Sequence, residues 1–425
     1  MKTKLLFSFF VFSSIIGKLS AQVDNFGYTT VNATMGASYQ NRVFVDLSAN
    51  QLVSIQANTW DIAFYKSVGQ GFGSRINDAQ SIATYQASID PTQWDAISIT
   101  NEANWGAPLY NPDITNTFEK GALEQATLSC SILSTGWGRY NMGNHHIEGK
   151  SIYVLKYPNG TYTKFMITDY YGGYTFKYSK WNGTVWSPTI TKTIANGTSD
   201  SYFNYYSLQN DVEVSQQEPP KSNWDFMLTK YWTFYNNMMM YNMSGIIQSP
   251  RITVAKTSET QQTSSVTIPI STEFKNGITT IGHSWKPVSG LVANVVYYIK
   301  EENEYYRLYF IENGGSTTGN MFFKYKNISS VLATQDNNTK VSFGLYPNPS
   351  TNKQVTLLYD VKQSTDNQGT ITILDLSGRT VYSTDINKSS GFFKKELNLS
   401  HLNSGNYLVN LKLGEYSETK KLILN

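Results

Sequence analysis

The stretch Asn58-Thr59-Trp60-Asp61-Ile62-Ala63-Phe64-Tyr65-Lys66 returns later in the chain as Asn223-Trp224-Asp225-Phe226-Met227-Leu228-Thr229-Lys230. Apolar side chains alternate in both: Trp60, Ile62, Phe64, then Trp224, Phe226, Leu228. Period-two alternation predicts a half-buried strand with its aromatic face inward. Each copy has an aromatic segment before it, around Phe44 and around Tyr205-Tyr206-Ser207-Leu208. Each is followed by a second shared block. In the first copy this is Ile152 to Lys156, a turn at Pro158-Asn159-Gly160, Tyr162 to Ile167, and Phe176-Lys177-Tyr178. In the second it is Val296 to Lys300, Tyr306 to Ile311, and Phe323-Lys324-Tyr325. Asn-Gly between alternating runs predicts a hairpin, since both residues tolerate positive φ. The expectation is a duplicated β unit, 23–188 and 202–332, with the polar, Thr-rich segment 189–201 as linker.

Composition agrees with strands. Aromatic residues make up 14% of the 425-residue chain and charged residues only 15%, a mix suited to the pleated surface. The net charge of +3, from 34 basic and 31 acidic residues, is too even for a nucleic-acid partner. One cysteine, Cys130, rules out an internal disulfide framework.

Residues 1–22 read as a secretory signal: Lys2 and Lys4, an apolar run from Leu5 to Gly17, and Ala21 at the cleavage end. No later stretch has the roughly 18 apolar residues of a spanning helix, so the mature protein is expected to be exported without a transmembrane segment. Residues 333–340 read as a second linker. From 341 to 425 short strands recur between turns such as Ser377-Gly378 and Asn403-Ser404-Gly405, which predicts a small immunoglobulin-like sandwich. The fold class is all-β: two related repeats and a C-terminal sandwich.

The last segment resembles the C-terminal sorting domain of the type IX secretion system. The resemblance rests on Tyr346-Pro347-Asn348-Pro349, Leu376-Ser377-Gly378-Arg379, Gly405-Asn406-Tyr407-Leu408-Val409 and the Lys420-Lys421-Leu422 ending. It implies passage through the periplasm, the type IX machinery as partner, and release or surface attachment. The repeats resemble the HmuY-type haem-binding family, through the Trp-Asp-Ile-Ala-Phe strand and the hairpin residues Tyr153, Leu155, Lys156, Gly160 and Tyr162. The chain departs from that family in lacking a lipid-acceptor cysteine, and Glu304 stands where the second hairpin would have its turn glycine. The resemblance implies haem as cofactor.

Four histidines are present, and His145-His146 is the one adjacent pair. With Met142 three residues earlier, these are the candidate haem ligands, imidazole and thioether being iron donors. Trp137 and Tyr140 would pack on the ring, and Arg139 would meet a propionate. On an extended chain the two imidazoles point opposite ways. The same residues also read as solvated loop histidines. The run Met238-Met239-Met240 with Met243 reads as core filling. His283 near Trp285 is the second copy's only comparable residue. Asp61 and Asp225 read as structural, each capturing a backbone N–H or a neighbouring Tyr hydroxyl. No metal-binding or nucleophile motif appears, so the chain reads as a binding protein and not an enzyme. The ligand is haem, or alternatively a surface glycan held by exposed Trp137, Trp181 and Trp186.

Overall fold

A computed structural model describes residues 15–18, 23–67, 71–114, 118–126, 134–236, 238–264, 266–287, 290–329, 341–361, 369–387, 389–413 and 416–425. Cys130, the 333–340 linker and most of the 1–22 signal lie outside the described residues. The chain divides into two compact units that meet in sequence at residues 329 and 330. Strands dominate both, and the α-helix among the described residues is one turn, Gly315–Thr318.

The first unit has two lobes, and their boundaries differ from those of the sequence copies. The strand after Trp60 (Ile62–Tyr65) pairs with Phe203–Ser207, from the other copy. The strand after Trp224 (Phe226–Tyr235) pairs with Asn41–Asp46, again from the other copy. The registers match residue for residue. Ile62 faces Tyr206 and Ala63 faces Tyr205; Phe226 faces Val45 and Met227 faces Phe44. Each exchanged strand belongs to a hairpin whose turn carries one residue at positive φ, Asn50 at +52° and Asp211 at +55°. Asn and Asp accept that region more readily than other residues with a side chain.

The larger sheets repeat one strand order. Ile190–Ala195, Gly173–Lys180, Tyr162–Tyr170, Ile152–Lys156 and Ala83–Ser88 run across one, a seven-stranded sheet whose other two strands, Gly138–Tyr140 and Ile147–Gly149, join at the side. Thr29–Val31, Met321–Asn327, Glu304–Asn313, Val295–Glu301 and Ile252–Ser258 form the other in the same order. Both carry a bulge at the same place, after Ile167 and after Phe310. One lobe is therefore contiguous, from Trp60 to Val214. The other is divided, with residues 23–57 completing a body built from 224–329. The segment expected as a linker, 189–201, contains the edge strand Ile190–Ala195. Its alternation of Ile190, Lys192 and Ile194 with threonines is a strand pattern, and Ile194 is buried in the contiguous core.

Each lobe closes its own core between a short and a long sheet. Ile62, Phe64, Tyr153, Phe165, Phe176 and Tyr206 meet in one. Val45, Phe226, Leu228, Tyr297, Leu308 and Phe323 meet in the other. The opposite faces of the short sheets form a third cluster, with Phe44, Trp60, Ala63, Tyr205, Trp224 and Met227. Trp60 packs edge-on to Tyr205 at 4.9 Å, and Trp224 edge-on to Phe44 at 5.2 Å. This corrects the expected alternation: the tryptophans are buried, but on the shared face and not with Ile62 and Phe64. The aspartates explain the break. Asp225 accepts the Leu47 N–H at 2.7 Å and Asp61 accepts the Gln209 N–H at 2.9 Å. Each tryptophan thus sits just before the regular strand begins.

The second unit has two sheets. Val341–Tyr346, Gln354–Val361 and Gly391–Asn398 form one; Thr380–Ile386, Gly369–Leu374, Gly405–Leu413 and Tyr416–Leu424 form the other. Inward residues such as Val355, Leu357, Ile371, Ile373, Val409 and Leu411 fill the space between them, as expected of a sandwich.

Candidate functional site

The histidine pair lies at the tip of a short hairpin. Gly138–Tyr140 pairs with Ile147–Gly149, and the latter pairs with the end of the Tyr162–Tyr170 strand, Glu148 facing Asp169. Gly149 is required here: a Cβ would stand 1.8 Å from the Ile167 carbonyl oxygen. Asn141 organises the turn. Its N–H donates to the His146 carbonyl at 2.8 Å, its carbonyl accepts the His145 N–H at 2.8 Å, and its side-chain amide donates to Glu148 at 2.6 Å. His145 takes φ +63°, outside the usual range for a residue with a Cβ.

The two imidazoles have separate partners. His145 Nδ1 lies 2.5 Å from the Tyr140 hydroxyl. His146 Nδ1 lies 2.8 Å and 2.9 Å from the two carboxylate oxygens of Asp169. The His146 ring also stacks on Tyr171, with centroids 4.5 Å apart and planes 2° from parallel. A carboxylate acts as acceptor, so it fixes the proton on Nδ1 and leaves Nε2 as the lone-pair nitrogen. Tyr171 is 66% exposed and Met142 72% exposed. The tip thus combines an oriented imidazole, an exposed aromatic face and an exposed thioether.

Asp169 and Tyr171 were not singled out from the sequence. No local pattern marks them; they meet His146 because Ile147–Gly149 pairs with the end of the Tyr162–Tyr170 strand. Trp137, expected to pack on the ligand, is fully buried in the contiguous core. It fills a core position because residues 136–138 run under the hairpin, with the Lys150 N–H donating to the Trp137 carbonyl at 2.8 Å.

The methionine run is also corrected. Met238 and Met239 are 80% and 60% exposed, at the end of a long hairpin formed by Phe226–Tyr235 and Met239–Gln248. His283 lies against that hairpin, its Nδ1 2.8 Å from the Tyr231 hydroxyl. Burial, then the neighbouring Lys286, holds its pKa below the usual value. Between the lobes a cavity of about 40 Å³ is lined by Arg42, Trp60, Arg75, Asp78, Glu218 and Lys230. Arg42 Nε and Trp60 Nε1 have no protein partner there, and the space suits ordered water.

Residues 344–425 match the family model of the secretion system C-terminal sorting domain, and residues 38–182 match that of the HmuY protein. The HmuY match starts in the divided lobe, at the exchanged hairpin, and continues through most of the contiguous one. No curated protein matches the chain. No helix among the described residues is long and apolar enough to cross a membrane. The sorting tail places the protein among the cargo of the type IX machinery, secreted or carried to the cell surface.

Proposed function

We propose that the exported protein is a binding protein and not an enzyme, and that it takes haem at the hairpin tip of the contiguous lobe. One observation carries this reading: His146, within the stretch similar to HmuY, has Nδ1 engaged by Asp169 and its ring stacked on Tyr171. That is the arrangement in which a histidine presents Nε2 to iron. The donor set at the tip fits the group. Haem would supply an iron that takes imidazole and thioether donors; His146 would hold it, with His145 or Met142 as a further donor, and Tyr171 would keep the His146 ring in place. The matching registers of the two lobes support a second, divergent HmuY-like copy in the chain.

Haemin titration tests the reading. A sharp Soret shift is expected with the full mature chain, and His145→Ala with His146→Ala should remove it. Asp169→Asn should weaken binding by about 10–100-fold, as for other outer partners of ligating histidines. A spectrum of free haemin at micromolar protein would end the haem reading. The glycan reading loses its main support, because Trp137 is buried and Trp186 is tied by its Nε1–H to the Ile97 carbonyl at 2.7 Å. A chain ending at residue 338 should bind haemin unchanged but stay in the periplasm. Surface display of that truncation would contradict the role of the tail.

A further inference from the structure

The small cavity between the lobes of the first unit is walled by both. Arg42, on the strand Asn41–Asp46, and Lys230, on Phe226–Tyr235, belong to the divided lobe. Trp60, Arg75 and Asp78 belong to the contiguous one, and Glu218 to the segment that joins them. The three cations are held by neutral acceptors. Arg42 donates to the Gln217 carbonyl at 2.7 Å, Arg75 to the Phe118 and Lys120 carbonyls at 3.0 and 3.2 Å, and Lys230 to the Ser81 hydroxyl at 3.2 Å. The carboxyls of the wall, Asp78 and Glu218, have donors of their own. The Asn111 amide reaches Asp78 at 2.7 Å; the Phe203 N–H and the Tyr205 hydroxyl reach Glu218 at 2.9 and 3.0 Å. Burial pushes both carboxyls up to about 7. Near neutral pH they therefore offset the cations only in part, while the two guanidiniums stay charged.

Two N–H groups of the wall remain unused. Arg42 Nε and Trp60 Nε1 are shut off from solvent and have no protein partner. Their residues are only 4% and 5% exposed. The Arg42 guanidinium carbon lies 5.2 Å from the centroid of the Trp60 ring, so the two orphan donors are neighbours.

We propose that this cavity binds a monatomic anion, chloride, between Arg42 Nε and Trp60 Nε1. Both groups donate and cannot accept, and a buried donor left unpaired is costly. An anion supplies the missing acceptor and the missing counter-charge together; a water molecule supplies only the first. The space of about 40 Å³ holds about one or two water-sized particles, which suits a halide and excludes sulfate or phosphate. Because the two donors come from different lobes, the bound ion ties the lobes to each other.

The test uses the full mature chain without haemin. Its melting temperature is followed as sodium chloride replaces sodium gluconate at constant ionic strength, gluconate being too large for the cavity. A ligand of the folded state alone raises this temperature with its concentration, and chloride is expected to do so. Trp60→Phe, which keeps a ring but loses the N–H, and Arg42→Met should each raise the chloride concentration needed for the same rise by at least about tenfold. The comparison is within each variant, so a lower starting stability does not affect it. The combined change of His145 and His146 to alanine should leave the rise intact. Crystals grown in sodium bromide should show an anomalous peak beside Trp60 Nε1. No rise with chloride, an equal rise in wild type and Trp60→Phe, or a cavity without that peak would each overturn the proposal. A bromide peak without a rise in solution would mean an adventitious ion only, and would overturn it as well.

Discussion

The contiguous and divided lobes share a strand order, a bulge and a register, yet they bury different polar groups. The contiguous lobe keeps Asp78 and Glu124 largely out of water, and burial pushes each up to about 7. The divided lobe buries Asp225, also raised to about 7, and with it Arg307, fully enclosed, which donates to the Thr260 carbonyl at 2.7 Å and reaches Tyr28, Tyr298 and Glu259. Backbone pairing is thus what the two have in common, while each lobe has found its own way to satisfy its interior. The difference teaches that the repeat specifies a frame and leaves its polar contents free to diverge, ligand sites included. Hence a histidine stacked on tyrosine at one hairpin tip and a histidine laid across another hairpin in the partner lobe.

The hardest test of this comparison uses the tryptophans. Trp60→Ala and Trp224→Ala should each cost about 3–5 kcal/mol, as for other large core aromatics. Trp224 should lie at the upper end, because Phe44, Phe118 and Tyr202 all pack on it. Both residues sit in the cluster shared by the lobes, so urea unfolding of the first unit should stay a single transition that moves as a whole. Two separate transitions would show that the lobes are independent and that the exchange does not couple them.

The buried carboxyls come next. In the folded lobes Asp78, Glu124, Glu218 and Asp225 titrate near 7, mainly through burial. Unfolded, such groups titrate near 4. Between those values the folded state holds more protons, so stability must fall as pH rises from about 4.5 through 7. The urea midpoint should be lower at pH 8 than at pH 5.5. Asp225→Asn keeps an oxygen for the Leu47 N–H and should remove part of that slope, while Arg307 contributes none of it. A midpoint that rises with pH would refute the upward shift of these buried carboxyls.

The smallest effect is expected at the hairpin tip proposed for haem. His146 and Asp169 are each about one-third exposed, and pairs of that kind contribute about 1 kcal/mol or less. His146→Ala should barely shift the melting temperature while removing the Soret change. A large loss of stability would mean the pair is structural.

Much of the frame was legible in the sequence. The Trp60 and Trp224 strands, the hairpins at Tyr153 and Tyr297, and the C-terminal sandwich all followed from period-two alternation and turn residues. The partners of those strands were not legible. Val45 and Tyr206 present equivalent edges, and nothing local tells Ile62 which of them to choose; the choice is made by rings that meet across the shared face. The candidate ligands show the same limit. His145 and His146 were readable as donors, but Asp169 arrives from a strand about twenty residues away, brought beside His146 by the pairing of 147–149 with the end of Tyr162–Tyr170.

The divided lobe has one more consequence, for the order in which the chain can assemble. The contiguous lobe is complete when residue 214 has emerged, but the hairpin Asn41–Gln56 must wait for Phe226. Closing these contacts spans 181 and 144 residues (226 − 45 and 206 − 62), and loop length alone separates them by only a few tenths of a kcal/mol. Timing therefore matters more than entropy. While the hairpin waits, the Ile62 strand is the equivalent edge already present in the chain. A pairing with it is expected to slow maturation until Phe226 arrives.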